Sequence, residues 1–207
     1  MTDTPAIEPW MVRQAHDRVE RLFLKRWSPR SFDGSAVPDE DLAVMFEAAR
    51  WAPSEFNHQP WRFLYAHRGD AHWQRFLSLL IPFNASWVSN AGVLMFILSK
   101  VVRGEGDKAA PSHSHSFDAG AAWALFALQA TALGYHAHGM TGVDFDRARI
   151  ELGVPDGFRI EAAAAIGRRD APERLPEGLR EREGPSHRKP VNEVAFAGGF
   201  PEGWLPK

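Results

Sequence analysis

The chain has 207 residues, 44% of them hydrophobic and 24% charged, which suits one ordinary domain or one domain with extensions. A formal net charge of −2 gives no basic field, which argues against a nucleic-acid partner. There is no cysteine, so disulfides, thiolate metal sites and a thiol nucleophile are excluded.

The opening "MTDTPAIEPW" lacks the basic and apolar regions of a secretion signal, and together with the absence of cysteine this points to a cytoplasmic protein. Within the first 25 residues Met11, Val12, Ala15, Val19, Leu22 and Phe23 share one face, which predicts an amphipathic helix. "KRWSPRSFDGSAVPDED" follows as a turn-rich link carrying Lys25, Arg26 and Arg30, with Arg26, Ser28 and Arg30 alternating. Leu42, Met45, Phe46 and Ala49 then mark a helix over 39–51, which Pro53 ends.

The connection "PSEFNHQPW" places Ser54, Asn57 and Gln59 between two prolines and ahead of a strand over 61–67. Side-chain amides in such a place either cap a turn or read the polar edge of a ligand. A helix over 70–81 and the segment "IPFNASW" come next, with Phe83 and Trp87 read as core or as a lid over a flat ligand. "GVLMFILSK" is a continuous apolar run, as a strand covered on both faces should be. Residues 102–116 are polar and show no periodicity, which predicts an irregular loop.

The stretch "FDAGAAWALFALQATALGY" carries Asp118 and Gln129 and so reads as a buried helix over 117–134 rather than a membrane span. It is apolar on nearly every side, and a second subunit is an easy way to cover it. Asp118 in its first turn complements the helix dipole. A short strand or loop "YHAHGMTGV", a helix "DFDRARIEL" and a third strand "FRIEAAAAIG" complete the regular part. From residue 170 the chain is rich in Pro and Gly and reads as an extended arm of a single domain spanning 1–207. The order of elements predicts an α+β fold, a small central sheet covered by helices.

Among chemical motifs, P-loop, Rossmann, zincin and hydrolase-elbow patterns are missing. His136 and His138 would face the same way on a strand, and His113 and His115 form a second pair, but no acidic residue stands at ligand spacing beside either. No metal is therefore expected, and a metal-dependent hydrolase built on the histidine pairs stands only as an alternative reading. Arg26 and Arg30, with Arg188 and Lys189 far downstream, could converge on one phosphate or serve only solubility.

The segments "KRWSPRSF", "EAARWAPSEFNHQPWRF", "FDAGAAWALFALQATALGYHAHGM" and "HRKPV", in that order, resemble the FMN-dependent nitroreductase-like flavoproteins over about residues 15 to 200. The resemblance implies an intertwined α+β homodimer with a mixed or antiparallel sheet and an FMN in each of two interface sites. It assigns Arg26, Trp27, Ser28 and Arg30 to the FMN phosphate and the pyrimidine side of the ring, and Pro53, Ser54, Asn57 and Gln59 to the polar edge of the flavin. Arg188, and Lys189 as a weaker match, would meet the phosphate, while His138, Gly139 and Met140 would pass beside the ring from the partner subunit. Arg30 would stabilise negative charge on the ring, and His138 or solvent would supply protons.

The implied activity is ping-pong reduction of a small-molecule acceptor, such as a nitroaromatic or quinone, with NADH or NADPH as co-substrate. Flavin dehydrogenases, dehalogenases and non-catalytic flavin-binding proteins remain as alternatives. Three departures from the family pattern stand out: Trp27 where an Arg is common, Ser186 where a basic residue is common, and Gly139 where a bulkier residue would narrow the pocket.

Overall fold

A computed structural model describes residues 9–104 and 106–204. Its centre is a four-stranded antiparallel sheet in the order β1-β2-β6-β5. In chain order the elements are α1 (Arg21–Lys25), α2 (Asp39–Arg50), β1 (Trp61–His67), α3 (Trp73–Ser78), α4 (Pro82–Val88) and β2 (Val93–Lys100). They continue with β3 (Val102–Arg103), β4 (Ala110–Pro111), α5 (His115–Ala132), β5 (His136–Met140), α6 (Phe145–Glu151), β6 (Phe158–Gly167) and α7 (Glu177–Arg180).

Period-two alternation along β2 builds both faces of the core. Leu94, Phe96 and Leu98 point into one cluster with Trp73, Phe76, Trp87 and Val88 of α3 and α4. Val93, Met95 and Ile97 point into the other, with Leu42, Met45 and Ala49 of α2 and Ala122 and Phe126 of α5. The alanine run of β6 serves both layers, Ala163 and Ala165 on one face and Ala164 on the other. The result is the α+β helix–sheet–helix sandwich that the element order predicts. No helix among the described residues is long and apolar enough to cross a membrane.

Several expectations need correction. The N-terminal amphipathic helix does not form over its described part, and residues 1–8 lie outside the described residues. Only a 3-10 turn at Pro9–Val12 and the five-residue α1 occur, and α1 buries no side chain. Met11, Val12, Ala15, Val19 and Phe23 are all exposed, and a short helix with no packed face is not held against its nucleation cost. The helix expected over 70–81 shrinks to α3, while "IPFNASW" becomes the helix α4 with proline in its first turn, where its missing N–H costs nothing. Residues 102–116 are not irregular throughout, because β3 pairs with β4 and α5 begins at His115. The arm also contributes to the core, through Leu175 and Leu179.

α5 is covered on one face only. Phe117 is 80% exposed, and Gly120 and Ala124 continue the same open stripe. Asp118 is 3% exposed and accepts from Ser114 Oγ at 3.0 Å and from the backbone N–H of Glu55 at 3.2 Å, so it ties the 53–59 connection to the helix.

Candidate functional site

The segment carrying Arg26, Ser28 and Arg30 is extended and runs beside the chain that leaves β6. The N–H of Asp33 donates to the Arg168 carbonyl, the N–H of Asp170 donates to the Ser31 carbonyl, and Ser31 Oγ donates to the Ala171 carbonyl. An extended backbone sends alternate side chains the same way, so these three residues face one space. From β5, His138 Nδ1 meets the Pro29 carbonyl at 2.8 Å. From the N-terminal segment, Arg13 donates to the carbonyls of Leu24 and Arg26 at 2.8 and 2.7 Å.

Together these elements enclose a cleft of about 230 Å³ in which Arg13, Arg26, Arg30, Arg182 and Arg188 meet, with Ser28, Trp27 and His138 in the wall. Among the described residues no carboxylate lines it. Like unit charges ~4 Å apart repel by ~1 kcal/mol in water and by ~4 kcal/mol in the intermediate dielectric near a protein surface, so gathering five guanidiniums is costly without an anion. The strain shows in the side chains. Burial first, then Arg188 and Arg26, lowers the pKa of Arg13; burial and Arg188 lower that of Arg26. Among the described residues the Nε atoms of Arg13 and Arg30 are buried without a hydrogen-bond partner, and unsatisfied buried donors are rare.

Both histidines of β5 are held neutral. Burial, then Arg169 and Arg26, lowers His136 to about 4. Burial also lowers His138 to about 4, with Arg30 and Arg26 adding to it and the Pro29 carbonyl opposing. Neutral His138 keeps its proton on Nδ1, facing Pro29, and its ring packs on Trp87 at 4.6 Å. That leaves Nε2 as an acceptor, which fits a positioning role better than a proton-donating one.

The other residues singled out in the sequence fall elsewhere. Pro53, Ser54, Asn57 and Gln59 precede β1, at the sheet edge opposite β5, and do not line the cleft. Three strand spacings of ~4.8 Å separate the two edges by about 14 Å. The connection is internally bonded: Ser54 Oγ accepts from the N–H of Gln59, and Gln59 Nε2 donates to the Asn57 carbonyl. Phe56, Asn57 and Gln59 all have positive φ, at 46°, 58° and 49°. Such values are strained for a bulky side chain such as Phe56, which is 81% exposed.

Met140 is buried in the core and Lys189 lines a neighbouring hollow of about 610 Å³ rather than the cleft. Trp27 is 4% exposed and sits edge-on to His136. Ser186 Oγ accepts from Arg188 at 2.7 Å and so steadies a cleft guanidinium. A Cβ on Gly139 would lie 3.1 Å from the indole of Trp123, so the room that glycine leaves is occupied by a ring. Among the described residues no group of three His, Cys, Asp or Glu is gathered as metal ligands. His115 instead meets Ser99 and Glu161. Sequence reasoning missed Arg13 and Arg182, whose distant positions carry no spacing signal.

Fold and cleft define a class, an α+β sandwich with an arginine-lined cleft beside one sheet edge. The family model described as Nitroreductase family matches residues 24–82. An uncharacterised 15.4 kDa protein of Mycolicibacterium smegmatis is 32% identical over 145 residues, covering 66% of this chain and 95% of its own length. A crystal structure described as an oxidoreductase containing FMN is 50% identical, with a TM-score of 0.89 over 91% of this chain and 96% of its own. A nitroreductase-type structure from Desulfovibrio desulfuricans in complex with FMN is 26% identical, with a TM-score of 0.68 over 90% of this chain and 100% of its own. The chain belongs to the nitroreductase family.

Proposed function

We propose that this chain is an FMN-dependent oxidoreductase that uses NADH or NADPH to reduce electron-poor small molecules such as nitroaromatics or quinones. The observation that carries the reading is the cleft of five arginines, two with buried Nε–H groups that have no partner among the described residues. The phosphate of FMN offers the charge and the several acceptor oxygens that such a cleft lacks. Bound FMN would supply the redox chemistry, taking hydride from the nicotinamide and passing electrons to the acceptor.

Arg13, Arg26, Arg182 and Arg188 would hold the phosphate, with Ser28 Oγ as a further donor. Arg30 would counter negative charge developing on the ring. His138, fixed by Pro29 and Trp87, would orient the wall of the cleft. Asn57 and Gln59 would read the polar edge of the flavin, and at the far edge of the sheet they would do so for the FMN of a second copy. Two observations support that homodimer: the two half-sites lie on opposite sheet edges, and α5 leaves an apolar stripe of Phe117, Gly120 and Ala124 open.

The test is anaerobic addition of NADPH to purified protein, followed in the visible spectrum. A yellow protein that bleaches supports the reading. A yellow protein that stays oxidised removes nicotinamide as the donor, and a protein that takes up no FMN removes the flavin.

A further inference from the structure

One carboxylate of the C-terminal arm is bonded to the backbone of the Arg26–Arg30 segment and Ser31 behind the cleft. Glu183 Oε1 accepts from the backbone N–H groups of Arg30 and Ser31, both at 2.9 Å, and its Oε2 lies 3.0 Å from the N–H of Arg30. On either side of Glu183, Arg182, Gly184, Ser186 and Arg188 line the cleft, whereas Glu183 itself does not. Among the described residues none beyond Leu179 is buried, so apolar packing does little to hold this part of the arm.

Two effects of opposite sign act here. A carboxylate near an anion site repels the anion. A carboxylate clasped on two backbone N–H groups fixes the chain that brings Arg182 and Arg188 to the cleft, and charge-assisted bonds of that kind are strong. We propose that Glu183 is a positioning residue for the cofactor phosphate, its clasp on Arg30 and Ser31 closing the arm over the cleft. The inference rests on the FMN reading above and adds a residue and a coupling to it: FMN binding and docking of the arm stabilise each other.

The sign of the effect on affinity separates clasp from repulsion. The experiment measures the FMN dissociation constant by flavin fluorescence for wild type, E183A and E183Q, and tryptic cutting after Arg188 with and without FMN. The clasp predicts that E183A weakens FMN roughly tenfold or more and loses the protection that FMN gives Arg188. In E183Q the amide oxygen still accepts from Arg30 and Ser31, so affinity stays within roughly threefold of wild type and protection remains. A dissociation constant for E183A equal to or below wild type overturns the inference. So does equal weakening in both variants with Arg188 still protected. Wild-type protein that takes up no FMN sinks the cofactor reading instead. Arg188 cutting then judges the clasp alone: faster in E183A than in E183Q and wild type supports it, and equal rates overturn it.

Discussion

The two edges of the sheet carry opposite kinds of surface. Beside β5 the cleft is an assembly of cations drawn from three parts of the chain, with donors left over among the described residues. Ahead of β1 the 53–59 connection is a local structure whose polar groups bond to each other, to Asp118 and to Ser114. The first gathers charge of one sign. The second is complete in itself and spends backbone strain to hold its side chains out. A site that used both would get its binding energy mainly from the cleft and its ring recognition from the connection.

The sharpest way to break this pairing is to keep the two copies apart. Ala124 lies in the open stripe of α5, and A124E places a charge there while costing the helix only a few tenths of a kcal/mol in propensity. The expected outcome is a folded monomer by sedimentation that no longer retains FMN. A folded monomer that retains FMN at wild-type affinity would show that one chain suffices. Next comes the cleft itself. R26A should weaken FMN by roughly 10–100-fold, the worth of a charge-assisted bond, and make affinity fall less steeply than in wild type as salt is raised. Unchanged fluorescence titrations for R26A would place the phosphate elsewhere.

How much of this was legible beforehand follows from the range of each signal. Val93–Lys100 and Trp61–His67 announce themselves, because a strand's apolar run or alternation is local. Arg26, Ser28 and Arg30 were readable for the same reason, as a short alternating run. The arrival of Arg13, Arg182 and Glu183 was not, since each is placed by tertiary contacts such as Arg13 to the Leu24 carbonyl or Glu183 to the Arg30 N–H. The N-terminal helix failed for the complementary reason. Its apolar periodicity is real, but Met11, Val12, Ala15, Val19 and Phe23 stay exposed, and periodicity without burial does not make a helix.

Acid should expose the histidines next. His136 and His138 titrate near 4 in the fold against about 6.5 when unfolded, so between those values the unfolded chain binds more protons. Stability is therefore full above pH ~6.5 and falls as pH drops toward ~4, by up to about 3 kcal/mol for each histidine. Urea midpoints of FMN-free protein measured from pH 7 to 4.5 should decline accordingly, and H138N, which keeps a donor for Pro29, should give a shallower slope. An equal slope in H138N would mean that burial of His138 does not set the acid sensitivity.

The smallest effect on the fold, and the finest test of the comparison, belongs to Asn57. At φ 58° it occupies backbone space that glycine enters freely, so N57G should change stability by less than about 1 kcal/mol. In the hydrogen bonds of the connection Asn57 takes part through its carbonyl and its N–H, which survive the substitution. If its amide reads the flavin of a second copy, N57G should still weaken FMN roughly fivefold, about the worth of one neutral hydrogen bond. Equal affinity in N57G would make the connection a scaffold only, and the arginine cleft would then account for cofactor binding without it. An N57G loss that disappears in the monomeric A124E background would show that Asn57 acts across the interface, because the substitution would have nothing left to remove.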